Sequence, residues 1–222
     1  MSDDSLFIEN LGESLTAAAW VTEYPARPDA KPEVVALIPA NLPTHAQAAV
    51  STTERRRGLL GASDAARRSR QGLDLDLDRE YKRLRAEVVY RDGDDSKLRP
   101  LWGGGALGAS LLLPSDEQVL WGDAFFARAE GATDVSLPKE RLAAVKEKNE
   151  LLRAAVLIEN EAEAAHEHAV GEAKAAVKTF RRGYGVFVRA VIFELGEDVA
   201  RLVLPHFARA KAKAEEVEEV GE

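Results

Sequence analysis

The sequence contains no cysteine and one methionine among its 222 residues. The lack of cysteine excludes a disulfide framework, a thiolate zinc site and a cysteine nucleophile. No segment has the roughly 20 uncharged apolar residues of a membrane-spanning helix, since charged side chains interrupt even the most apolar stretch, residues 184–207. The acidic N-terminus lacks the basic and apolar regions of a secretory signal, so we expect a cytoplasmic protein.

Acidic residues outnumber basic ones by 38 to 30, which gives a formal net charge of −8. Charged residues make up 31% of the chain, above the average of about 25%, while the hydrophobic share of 45% is ordinary. This balance is typical of exposed helices around a modest core, and we expect a mainly α protein. The frequent alanine, arginine and glycine favour a bacterial source.

Prolines are concentrated near the N-terminus. Each removes a backbone donor and disfavours helix in the preceding residue, so we predict an extended N-terminal arm over residues 1–44. Trp20, Tyr24 and an apolar run at 34–38 favour docking of this arm, and we expect it to bridge neighbouring copies. The five prolines lie at Pro25, Pro28, Pro32, Pro39 and Pro43.

Residues 45–135 predict a small helical or mixed segment. Glycines at 58–61 and at Gly72 predict breaks between two or three short helices. Leucine and aspartate alternate over 73–78 with the period of a strand, although aspartate is a poor strand former. This DxDxD spacing lacks the glycine and the twelfth-position glutamate of an EF-hand loop, so we do not expect calcium there.

An apolar, glycine-rich loop lies at 101–114. Gly103, Gly105 and Gly108 match GxGxxG, but Pro114 follows too soon for the helix that a dinucleotide site needs. Two interpretations remain open: close backbone packing, or an exposed contact surface that includes Trp102 and Leu107. Insertion of this loop into lipid is the basis of one alternative function, a membrane-active protein.

Residues 136–207 predict a helical hairpin. Ser136 is suited to cap a helix that starts near Pro138, and the next strong break is at 183–185. A second helix then runs to Pro205, and a charged tail covers 208–222. One apolar stripe on the first helix has small side chains that let another helix approach closely, as in a coiled coil. We predict an interaction surface made of Leu151, Ala155, Ile158, Ala162 and Ala165.

A second stripe on the same helix is polar in its middle. Glu159, Glu163 and His166 share one face, and the last two form an ExxH. This spacing resembles the ligand motif of ferritin-like di-iron bundles, which implies iron or manganese and a second motif from a symmetric copy. The simpler interpretation is that these side chains are solvated while the alanine stripe faces the core. A buried polar layer that sets helix register is a third possibility.

Arginines cluster in the middle of the chain. They could contact phosphates, but the chain is acidic and shows no nucleic-acid-binding motif, so we expect pairing with acidic segments of a neighbouring copy. The predicted interaction residues are Arg55, Arg56, Arg57, Arg67 and Arg68.

No nucleophile motif accompanies the four histidines. We therefore expect a non-enzymatic structural or interaction protein without a cofactor, which forms a homo-oligomer or docks into a larger assembly. The alternatives are a ferritin-like metal-binding oxidoreductase with its site across a dimer, and the membrane-active protein named above.

Overall fold

The computed structural model describes residues 8–104, 107–132 and 137–207. All regular secondary structure in these ranges is helical, which confirms the prediction of a mainly α protein. The α-helices are α1 (Leu11–Glu23), α2 (Pro32–Ala36), α3 (Leu42–Asp92), α4 (Leu107–Ser110), α5 (Ser115–Gly131), α6 (Lys139–Leu195) and α7 (Glu197–Val203). Short 3₁₀ turns lie at Tyr24–Ala26 and Ser96–Leu98.

The chain divides into two compact units, a division different from the four predicted segments. Unit 1 contains the described residues up to Arg56 together with those from Ala169 onward. Unit 2 contains the described residues of Arg57–His168. Each long helix contributes residues to both units, because one boundary lies within α3 and the other within α6.

Unit 1 packs α1, α2 and α7 with the N-terminal part of α3 and the C-terminal part of α6. Asn10 starts α1 with a capping box: its Oδ1 accepts from the Glu13 backbone N–H at 3.0 Å, and the Glu13 carboxylate accepts from the Asn10 N–H at 3.3 Å. Trp20 stacks on Tyr24 with ring centroids 4.3 Å apart, and Phe187 lies beside Trp20. These aromatic side chains form the centre of the unit 1 core.

The prediction of an extended arm over 1–44 is wrong for the residues that the structure describes. Residues 11–23 are helical, and Pro32 occupies the first turn of α2, where its missing N–H has no cost. The Tyr24 hydroxyl accepts from the Lys31 backbone N–H at 3.0 Å and closes the intervening loop. Apolar residues of this segment, among them Trp20 and Val34, form part of the core of unit 1.

Unit 2 packs α4 and α5 against its portions of α3 and α6. Tyr81 is fully buried, and its ring contacts Trp121 and Phe125 edge-on at 5.0 and 5.6 Å. The predicted breaks in α3 are wrong, because the helix continues through Gly58, Gly61 and Gly72. The Leu–Asp alternation at 73–78 is helical as well, and no strand occurs in the described ranges.

The predicted hairpin over 136–207 is also wrong. α6 continues through Gly183 and Gly185 and ends at Leu195. A Cβ at Gly183 would lie 3.0 Å from Leu42 Cδ1, so this glycine permits close helix packing. The turn occurs at Gly196, whose φ of +84° strongly favours glycine, before α7 begins. The predicted cap Ser136 and the tail 208–222 lie outside the described residues.

Candidate functional site

Unit 2 contains a network of arginines and carboxylates between α3 and α6. Glu159 on α6 is only 7% exposed, and it accepts from Arg67 Nε at 3.4 Å and from Arg70 Nε. Arg67 also donates to Glu163 Oε1 at 2.6 Å. The hydrogen bond to Glu163 raises the pKa of Arg67 above its ordinary value, so the guanidinium remains charged. The polar face of α6 is thus turned toward α3.

The network continues to α5 through Ser115. Its hydroxyl accepts from Arg70 and donates to Asp74 Oδ1 at 3.2 Å. Burial raises the pKa of Asp74, and this effect outweighs the hydrogen bond from Ser115, which lowers it. One turn further along α3, Asp78 accepts from the Gln118 side-chain amide at 2.8 Å. Two aspartates of the DxDxD stretch therefore join α3 to α5.

The metal interpretation of Glu159, Glu163 and His166 loses its support in this arrangement. Both carboxylates are engaged by arginines, whose positive charge opposes a cation at the same position. No group of three or more histidine, aspartate or glutamate side chains in the described ranges is placed to hold a metal ion. The expectation of solvated glutamates is also wrong for Glu159, which is buried; Glu163 and His166 are half-buried.

The predicted arginine cluster is distributed between the two units. In unit 1, Arg55 pairs with Glu172 of the same chain at 2.9 Å, and Arg56 borders a groove. In unit 2, Arg67 pairs with Glu159 and Glu163. Arg55 and Arg67 therefore pair with carboxylates of their own chain, whereas the sequence predicted carboxylates of a neighbouring copy. Arg57 and Arg68 are exposed and make no ion pair to any residue that the structure describes.

The predicted apolar surface on α6 divides into a buried and an exposed part. Leu151 and Ile158 are 41% and 58% exposed, whereas Ala155 is buried and Ala162 is half-buried. The alanine stripe therefore borders the core of unit 2 instead of forming it. We use the name α6 strip for the exposed set Leu151, Ala154, Ile158 and Ala165, whose spacings of three, four and seven residues keep them on one side of the helix.

Trp102 and Leu107 are buried in the unit 2 core, so the interpretation of these two residues as an exposed contact surface is wrong. The turn before α4 uses positive φ angles at Gly103 and Gly104, and Arg128 on α5 donates to the Leu101 carbonyl at 2.7 Å. Gly105 lies outside the described residues. None of the helices in the described ranges combines the length and apolar content needed to cross a membrane.

Three cationic residues of α6 were not among the site residues predicted from the sequence. Lys174, Lys178 and Arg181 on α6 line one groove together with Arg56 on α3. The available signal was the spacing of four and three residues, which places the first three on one helix face. The proximity of Arg56 depends on the pairing of α3 with α6 and has no local sequence signal.

Comparisons with protein-family models, curated proteins and solved structures gave no significant match to this chain. The assignment of a function therefore depends on the geometry described above.

Proposed function

We propose that this chain is a non-enzymatic interaction protein that pairs with a second copy of itself through the α6 strip. The observation that carries the proposal is the exposure of Leu151 and Ile158, which lie two helical turns apart on one side of α6. Burying a large aliphatic side chain contributes about 1.5–3 kcal/mol relative to leaving it exposed. Removal of these side chains from water is therefore the driving force for association.

The small residues of the strip support helix pairing. Ala154 and Ala165 are exposed and small, so a second helix can approach to the roughly 8–10 Å that close helix packing requires. Leu151, Ala154, Ile158 and Ala165 fall at spacings compatible with a heptad seam. A two-fold axis would pair the strip with itself, which makes a second copy the simplest partner of matching shape.

The extent of the strip determines the expected strength of association. Four side chains bury less area than the roughly 1,200–2,000 Å² of a standard stable interface, so we expect a dimer that dissociates on dilution. Its two large side chains, Leu151 and Ile158, are apolar, so the contact should persist at high salt, unlike an association through exposed arginines. The proposal places this dimer in a bacterial cytoplasm, since the alanine, arginine and glycine usage favours a bacterial source and the lack of cysteine is compatible with the cytosol.

Solution mass measured by light scattering and by sedimentation equilibrium over a roughly hundredfold dilution tests the proposal. We expect a concentration-dependent dimer for the wild type and a monomer for Ile158→Lys. Leu75→Lys is the matched control, because Leu75 is 57% exposed on α3 of the same unit. Circular dichroism of each variant confirms that helix content is unchanged.

Two results would contradict the proposal. A wild-type chain that is monomeric at every concentration has no self-pairing surface. Equal loss of dimer in Leu75→Lys and Ile158→Lys would show that the added charge, rather than the α6 strip, controls association.

A further inference from the structure

Unit 1 contains a groove of about 340 Å³ between α1, α3 and α6, within the volume range of small-molecule sites. Its apolar lining comes from Leu11 on α1 and from Ala173 and Val177 on α6. Thr53 on α3 completes the lining, and its hydroxyl is already committed to the Ala49 carbonyl at 2.7 Å. This part of the groove offers contact to an apolar group, and the Thr53 hydroxyl has no free proton to donate.

Four cationic side chains line the same groove. Lys174, Lys178 and Arg181 come from successive turns of α6, and Arg56 comes from α3. No carboxylate is among the residues that line it. Like charges four residues apart on a helix repel each other, so Lys174 and Lys178 carry an electrostatic cost that a bound anion would relieve.

None of these four cations is neutralised by a carboxylate of the described ranges, so their charge is available to an anion. Arg181 donates from Nε to the Ser14 hydroxyl at 2.7 Å, a neutral partner that orients the guanidinium without neutralising it. Arg56, Lys174 and Lys178 make no ion pair to the residues of the described ranges. The neighbouring Arg55 differs, since it pairs with Glu172 at 2.9 Å.

We infer that this groove binds an anionic amphiphile, a small molecule with one phosphate or carboxylate head and an apolar body. The cations supply the contacts for the head, and charge-assisted hydrogen bonds to an oxyanion are stronger than neutral ones. Leu11, Ala173 and Val177 supply the surface for the body. The site lies in unit 1, so it does not depend on the α6 strip of unit 2.

Isothermal titration calorimetry of the full chain with three probes tests this inference. The probes are decyl phosphate below its critical micelle concentration, inorganic phosphate, and uncharged decyl maltoside. We expect saturable binding of decyl phosphate at one site, and affinities at least about tenfold weaker for the other two, because each lacks one half of the recognised chemistry. Decanoate should bind as well, since its head is also an oxyanion.

A pair of double variants locates the site on α6. Lys174→Gln with Lys178→Gln should weaken decyl phosphate binding by about tenfold or more, because two charged contacts are lost. Lys146→Gln with Lys148→Gln removes the same charge from α6 in unit 2 and should change the affinity less than about twofold. Ile158→Lys should bind normally, which separates this inference from the proposed self-pairing.

Several outcomes would overturn the inference. If decyl phosphate does not bind, the inference is wrong. Equal affinity for decyl maltoside would reduce the groove to an apolar contact, and equal affinity for inorganic phosphate would remove the role of the apolar lining. An unchanged affinity in the Lys174/Lys178 variant would place any binding elsewhere.

Discussion

Gly122 on α5 lies so close to Asn149 on α6 that a Cβ atom at position 122 would overlap the asparagine side-chain amide. Asn149 is fully buried, and its Nδ2 donates to the Val119 carbonyl at 3.4 Å and to Asp123 Oδ1 at 3.2 Å. The absence of a side chain at Gly122 therefore makes room for a polar group within the core of unit 2.

Gly122→Ala should lower the free energy of unfolding by about 1–3 kcal/mol, the usual cost of forcing extra volume into a packed core. Gly61→Ala is the control, since an added Cβ there meets no atom within 4 Å. It should stabilise the helix by up to about 1 kcal/mol, because alanine is the better helix former. Urea denaturation followed by circular dichroism measures both, and a stabilised Gly122→Ala would contradict the packing argument.

The buried carboxylate of Glu159 leads to a second prediction. Glu159→Gln removes the negative charge that faces Arg67 and Arg70, and should cost about 1–3 kcal/mol of stability. Glu161→Gln changes the same charge on an exposed position of α6 and should stay within about 0.5 kcal/mol of the wild type. Thermal unfolding of the three proteins measures the difference. Equal midpoints for both variants would show that the network adds no stability.

The helical class of the fold follows from composition and periodicity, but the helix ends do not. Gly58, Gly72 and Gly183 predict breaks because glycine costs about 1 kcal/mol relative to alanine inside a helix. The helices nevertheless continue through all three positions, because residues farther along them, such as Leu77 and Phe187, pack in the two cores. The local sequence indicates only the cost of glycine inside a helix, since the compensating contacts come from other parts of the chain.

The orientation of α6 illustrates the same limit for the candidate site. Periodicity correctly separates two stripes, yet it favours the alanine stripe as the core face. The structure buries Glu159 because Arg67 and Arg70 neutralise it, and Arg67 lies 92 positions earlier in the sequence. Leu151 and Ile158 are left exposed as a result. Nothing within α6 itself indicates which helix it packs against.

Asp74 gives a pH-dependent prediction. Burial raises its pKa in the folded protein, so the ionised carboxylate destabilises the fold above that pKa, and the penalty disappears below the ordinary value of about 4. Asp74→Asn should therefore have a higher free energy of unfolding than the wild type near pH 7. The gain should be less than about 1 kcal/mol, because the carboxylate is partly solvated. It should vanish as the pH falls toward about 4.

Asp76→Asn provides the comparison for Asp74→Asn. Asp76 pairs with Arg79 at 2.6 Å on the exposed side of the same helix, so loss of its charge should bring no gain at neutral pH. Urea denaturation at several pH values measures both variants. A gain for Asp74→Asn that is constant with pH would mean that the aspartate charge is not its cause.

Two buried tyrosines of unit 1 give opposite expectations. The Tyr184 hydroxyl has no hydrogen-bond partner among the described residues, whereas the Tyr24 hydroxyl accepts from the Lys31 N–H. Tyr184→Phe should therefore be neutral or stabilising, since it removes a buried polar group that gains nothing. Tyr24→Phe should cost about 0.5–1.5 kcal/mol through the lost hydrogen bond. Thermal unfolding near neutral pH distinguishes them, and a larger loss in Tyr184→Phe would refute the assignment.

Alkaline pH should enlarge the difference between Tyr184→Phe and the wild type. Burial raises the pKa of Tyr184, so the folded protein keeps this proton while the unfolded chain releases it above about pH 10. Above that pH, ionisation of Tyr184 stabilises the unfolded chain and so lowers the free energy of unfolding of the wild type. Tyr184→Phe has no phenol at this position and lacks this contribution. Unfolding midpoints in urea between about pH 8 and 11 should fall less steeply for the variant than for the wild type. Parallel slopes would mean that Tyr184 ionises in the folded state as readily as in the unfolded chain, which its burial opposes.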